Sequence, residues 1–163
     1  MVRFRIRLSV LVAGLFLALT GAVSASDRHE GYYYPPVTSE EVFERVIRDV
    51  PPAGREVRAD FVTMLTLAQL SAPANPRFVF FAKGDRSEKL MVVALDDDIF
   101  RTLFRARAVL AQMTSNVRGG DFFRDQDLQF IGTFYDMLQM LGFETLIISD
   151  GENWSHKVVF SQE

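Results

Sequence analysis

Two short, unbroken apolar runs constrain this chain most. Phe78–Ala82 reads FVFFA and Leu90–Leu95 reads LMVVAL. Runs of that length are short for helices and rich in Val and Phe, so both predict interior strands. Lys83-Gly84-Asp85-Arg86-Ser87-Glu88 between them predicts a hairpin loop. Such strands are apolar on both faces. Helices or the N-terminal segment are therefore expected to cover both faces of the sheet.

The rest of the chain is read around this hairpin. Thr38 and Glu41 have capping-box spacing, and Val37 can staple onto Val42. Val42, Phe43, Val46, Ile47 and Val50 follow at helical spacing, so a helix is expected from Thr38 until Pro51-Pro52 stops it. From Arg55 to about Leu70, Val57, Ala59, Phe61, Thr63, Leu65 and Leu67 alternate with Glu56, Arg58 and Asp60, which predicts a strand. Ser71–Pro76 reads as a loop. Asp96-Asp97-Asp98 suits the positive end of a helix over Ile99–Val117 that stops at Gly119-Gly120. A second helix is expected over Leu128–Leu141, with Phe130, Ile131, Phe134, Met137, Leu138 and Leu141 on its apolar face and Gly142 ending it. Thr145–Ser149, an Asp150-Gly151 turn and His156–Ser161 predict a closing hairpin. The expected fold is α+β: an antiparallel-rich five-stranded sheet (three-strand meander, two helices, C-terminal hairpin) with an additional N-terminal helix.

The first residues carry an address. Arg3, Arg5 and Arg7 precede an apolar core over Leu8–Leu19, and Val23-Ser24-Ala25 supplies a small-x-small site. That is the pattern of a secretory signal peptide, with cleavage expected after Ala25 and Ser24-Ala25-Ser26 as a second register. Residues 1–25 are accordingly read as a signal peptide and 26–163 as a single α+β domain, exported and periplasmic or secreted. The chain has no cysteine, which excludes disulfides, a lipoprotein anchor, thiol nucleophiles and thiolate metal sites. Its 18 basic and 21 acidic residues become 15 and 21 once the three leader arginines leave, a net charge of −6. An acidic domain repels phosphate backbones, so no nucleic-acid partner is expected. No other run is apolar enough to span a bilayer, so none is expected to hold the processed protein in the membrane.

The chemistry is read mostly by exclusion. There is no GxxxxGK[ST], GxGxxG, GxSxG or HExxH pattern, and the two histidines, His29 and His156, cannot build a three-histidine zinc site. No cofactor and no metal are expected. Arg107 falls among Phe100, Leu103, Leu110 and Ala111, inside the apolar stripe of a helix starting at Ile99. A guanidinium there needs an outlet: an ion pair with one of Asp96–Asp98 or Asp150, a snorkelling reach to solvent at the stripe's edge, or a ligand carboxylate or phosphate. Tyr32-Tyr33-Tyr34, ahead of Pro35-Pro36, offers aromatic area with polar tips, either to pin the N-terminal segment to the sheet or to contact a ligand. His156 with Asp150 and Ser149 or Ser155 is read as part of a solvated hairpin turn, and Asp96–Asp98 as a helix cap.

The segments GYYYPP, FAKGDRSEKL, RARAVLAQMT, FYDMLQMLGF and ISDG resemble a family of small exported bacterial proteins of unknown function. Some of its members carry the label molybdopterin-guanine dinucleotide biosynthesis protein A, which implies nucleotidyl transfer. The chain has no counterpart of that enzyme's LxGGxSxRMG loop, so the resemblance brings no site residues. The expected function is a non-enzymatic extracytoplasmic binding or interaction module, taking a small anionic ligand or an envelope protein through Arg107 and Tyr32–Tyr34. A small carboxylate-based hydrolase using Asp96–Asp98 with Arg107 is the alternative.

Overall fold

The computed structural model describes residues 36–96 and 98–161. Its elements are β1 (Ser39–Phe43), α1 (Arg55–Leu70), β2 (Phe78–Lys83), β3 (Lys89–Ala94), α2 (Leu103–Arg118), α3 (Asp121–Arg124), α4 (Phe134–Met140), β4 (Thr145–Ser149) and β5 (Ser155–Phe160). The five strands form one sheet in the order β1-β5-β4-β3-β2. The class is α+β, as expected. The sheet is mixed: β2–β3 and β4–β5 are antiparallel, whereas β1–β5 and β3–β4 are parallel. The parallel β3–β4 pair is possible because α2, α3 and α4 lie between them in the chain, and parallel neighbours need a long crossover.

Two expected elements exchange type. The segment from Thr38 is an edge strand, and Arg55–Leu70 is a helix. The number of strands survives because the exchanges offset each other, but the three-strand meander does not exist. Thr38 is no helix cap: its hydroxyl donates to the Ser155 carbonyl at 2.6 Å and joins β1 to β5. Arg55–Leu70 contains no Gly or Pro, and Arg, Glu, Ala, Leu, Met and Gln favour helix. Its inward residues are Arg58, Phe61 and Val62, the spacing of one helical face.

The hairpin of β2 and β3 forms as expected, and so does that of β4 and β5. Helix α2 starts four residues later than expected, at Leu103, because Thr102 caps it by accepting the Arg105 N–H. Helix α4 is shorter than expected. Thr133 caps it in a capping box with Asp136, which leaves Leu128–Gly132 outside the helix. Phe130 and Ile131, expected on an apolar face, are 82% and 53% exposed.

One face of the sheet makes the core. Phe80, Leu90, Val92, Leu146, Ile148, Val158 and Phe160 share it and pack with Phe61, Phe100, Leu110, Met113, Phe123, Phe134 and Leu138. All four described helices contribute to this core. Val79, Met91, Val93, Ile147 and Val159 alternate to the other face and stand outside the core cluster. The described helices pack on one face; the N-terminal segment, the other expected cover, lies outside the described residues.

Arg58 stands at the seam where the helices meet the hairpin. It is 5% exposed, and its guanidinium donates to the carbonyls of Ala53, Arg86, Ser87, Leu141 and Gly142. Gly142 permits this close approach. Its φ is +77°, and a Cβ there would lie 2.7 Å from Pro52 Cβ and 3.0 Å from Arg58 Nη1. Among the described residues, no helix is long and apolar enough to cross a membrane.

Candidate functional site

The site begins with the alternation of β1. Ser39, Glu41 and Phe43 point to one face, and register sets them against His156, Val158 and Phe160 of β5. Two of the three inward residues are therefore polar, and both meet His156. That imidazole is 2% exposed. Its Nδ1 lies 2.8 Å from Ser39 Oγ, and its Nε2 lies 3.4 Å from Glu41 Oε1. The second contact is electrostatic only, for Nε2 lacks a partner with hydrogen-bond geometry. The Trp154 ring stacks over the imidazole with centroids 6.3 Å apart and 19° between planes.

Glu41 gathers the remaining polar groups. Its Oε2 accepts from Arg107 Nη2 at 2.8 Å, and its Oε1 accepts from the Tyr135 hydroxyl at 3.1 Å. Burial pushes its pKa up. The combined pull of Arg107, His156 and Tyr135 outweighs that, so the carboxyl sits below its ordinary range. Burial, and then the Glu41 charge, push the Tyr135 phenol well above its ordinary value, which keeps it a neutral donor.

Glu41, Arg107 and Tyr135 help to line a cleft of about 360 Å³. Glu41 and Phe43 form its strand wall. Arg107, Leu110, Ala111 and Thr114 form its helical wall at the i, i+3, i+4, i+7 spacing of one α2 face, and Thr133, Phe134 and Tyr135 close it. Phe43 stands edge-on to Tyr135 at 5.2 Å and to Phe160 at 6.0 Å, which fixes the strand wall against the core.

Hydrogen-bonding capacity decides what these polar groups can take. A guanidinium has five N–H donors, and the structure engages one of those of Arg107, with the side chain 59% exposed. Glu41 already accepts from Arg107 and Tyr135 and faces His156. The surplus is of donors, so these groups suit an anion. The threonine hydroxyls are engaged by the fold. Thr114 Oγ1 accepts the Phe134 N–H, and Thr133 Oγ1 exchanges hydrogen bonds with Asp136. His156 does not line the cleft.

Arg107 is thus central, and it takes the edge of the apolar stripe rather than its interior. The buried stripe of α2 is Ala106, Leu110 and Met113, and Arg107 flanks it at the surface. Its partner is Glu41, not Asp150, Asp96 or Asp98; Asp97 lies outside the described residues. Asp96 pairs with Arg77, and Asp98 with Arg101 and Arg105; neither caps a helix at Ile99, because the helix starts at Leu103 behind Thr102. Asp150 Oδ1 accepts the N–H groups of Glu152, Asn153 and Trp154, which confirms the turn. His156, expected in a solvated turn, is buried against β1 instead. Tyr32, Tyr33 and Tyr34 lie outside the described residues. Sequence reasoning missed Ser39, Glu41, Tyr135 and His156 as a group; the period-two spacing of Ser39, Glu41 and Phe43 is the signal that could have found the strand side of it.

Comparison with known proteins finds no matching protein-family model, no significantly similar curated sequence and no significantly similar solved structure.

Proposed function

We propose that this chain is an exported, non-enzymatic binding module, acting in the periplasm or outside the cell, and that the Arg107 cleft is its site for anionic ligands. The observation that carries the reading is the half-exposed guanidinium of Arg107, held by Glu41 in the lining of a largely apolar cleft with most of its donors unspent. A held arginine is pre-organised, so less side-chain entropy is lost when a carboxylate or phosphate docks. The basic, apolar, small-x-small leader supports the compartment.

The same geometry argues against turnover. Hydrolysis by paired carboxylates needs two of them facing one cleft, and among the described residues Glu41 is the single carboxylate in this lining. The imidazole is sealed behind β1, and the phenol is fixed as a donor to Glu41.

Thermal-shift and calorimetric titration of the protein, as purified from its producing cells, against a panel of organic anions tests the reading. Arg107-dependent binding without consumption of ligand is expected. Turnover of esters, phosphates or glycosides by the protein would overturn it, and so would binding that persists unchanged in Arg107→Met.

A further inference from the structure

The cleft opens beside a free sheet edge, and the two together describe a site for an extended peptide. β1 is the last strand of its sheet and pairs with β5 alone among the described strands. Among the described residues no strand pairs with its other edge, where main-chain donors and acceptors can receive one. Edges of this kind are commonly guarded by charge. Here Glu40 is drawn off to Lys157 at 3.2 Å, and Glu41 is turned inward to Arg107 and Tyr135. Val42, between them and Phe43, is 58% exposed.

A strand laid on that edge would send alternate side chains to the face that bears Glu41 and Phe43. That face is the wall of the cleft, and Leu110 and Ala111 stand across from it. Strand addition takes its affinity from main-chain hydrogen bonds and its specificity from pockets for alternate side chains. This cleft supplies one such pocket, apolar in its middle and donor-rich at one end.

The charge at that end selects the part of a peptide that fits. Arg107 has donors to spare and Glu41 has little acceptor capacity left, so the occupant's polar end is an anion. An acidic side chain would carry its charge past the apolar lining. A chain terminus presents a carboxylate and an apolar side chain from the same residue, which matches Arg107 beside Phe43 and Leu110. Resting on the reading of the cleft as a binding site, we infer that the module binds the C-terminal segment of a partner protein with an apolar last residue, added as a strand to β1 with its terminal carboxylate on Arg107.

Fluorescence polarisation with short peptides ending in Val, Leu or Phe, as free acids and as C-terminal amides, tests this on the full chain. The free acids are expected to bind, with the amides weaker by about tenfold or more. Arg107→Met is expected to erase the difference between acid and amide. Ala111→Trp, at an exposed position, fills the cleft and is expected to weaken every apolar peptide. Hydrogen exchange is expected to slow at the β1 amides when peptide binds. Equal affinity for acid and amide overturns the inference, and so does an acid preference that survives in Arg107→Met. If octanoate binds through Arg107 while no peptide does, the inference fails and the anion-binding reading stands. If neither binds, both fail.

Discussion

Replacing Arg58 with methionine should cost about 3 kcal/mol of folding stability, at about 1 kcal/mol for each of three stranded buried carbonyls. The guanidinium, 5% exposed, has only main-chain carbonyls as partners: Arg86 and Ser87 at the β2–β3 hairpin, Leu141 and Gly142 at the end of α4, and Ala53 ahead of α1. It clips three segments that are distant in the chain. Methionine keeps the long, flexible stem, so little packing is lost. The charged hydrogen bonds go, but so does the desolvation penalty of a buried cation, several kcal/mol by itself. What remains is the cost of carbonyls left without donors. The bonds to Ser87, Leu141 and Gly142 are buried. Those to Arg86 and Ala53 are partly open, and water can replace the lost donor there. Urea unfolding, followed through Trp154 fluorescence and circular dichroism, measures the loss as a lower midpoint at unchanged slope. Arg55→Met, at an exposed position on the same helix, is the control and should stay within about 0.5 kcal/mol of wild type. Equal stability of the Arg58 and Arg55 variants would refute the hub assigned to Arg58.

Three further outcomes follow from particular contacts. The carboxyl of Glu41 is held below its ordinary range, so its contribution to stability is present above the unfolded-state pKa of about 4.3 and is lost as pH falls through the lower folded value. Glu41→Gln should flatten that part of an acid-unfolding curve, and a curve with unaltered slope contradicts the assignment. Gly142→Ala should destabilise by about 1–2 kcal/mol from its left-handed backbone alone, with Pro52 adding to it, as read by thermal melting. Asp136 is fully buried and closes the α4 capping box, so Asp136→Ala should cost about 1–2 kcal/mol. Arg45, half-exposed and 3.6 Å from Asp136, should give less than about 1 kcal/mol on removal; the reverse order of the two losses would show that the ion pair, not the cap, holds the helix.

The β2–β3 hairpin, the β4–β5 hairpin and the stop at Gly142 were legible because their signals are local: short apolar runs, turn formers and a helix-ending glycine. The two exchanged elements were not legible, and they share a physical cause. In each, a charged residue faces inward. The strand at Ser39–Phe43 hides because its inward side reads Ser, Glu, Phe, so the period-two pattern of apolar residues is missing. Val42, which pointed to a helix, lies on the outer side. The helix at Arg55–Leu70 hides because Arg58 interrupts the stripe that Phe61 and Val62 continue, which left an accidental alternation to be read as a strand. Length was the clue on the other side, since a run from Arg55 to Leu70 exceeds an ordinary strand. Arg107 was legible in part: it stands at the edge of the apolar stripe, one of the placements expected for it, but its partner was not foreseen, because α2 begins at Leu103 and turns Ala106, Leu110 and Met113 inward. Local rules assign a side chain to a face by its polarity, and they fail where polarity is used for something other than solvation. At Arg58 that use is to bind together carbonyls from distant segments. At Glu41 it is to aim Arg107, and the failure of the strand rule there is an independent mark of the same cleft that the donor count identifies.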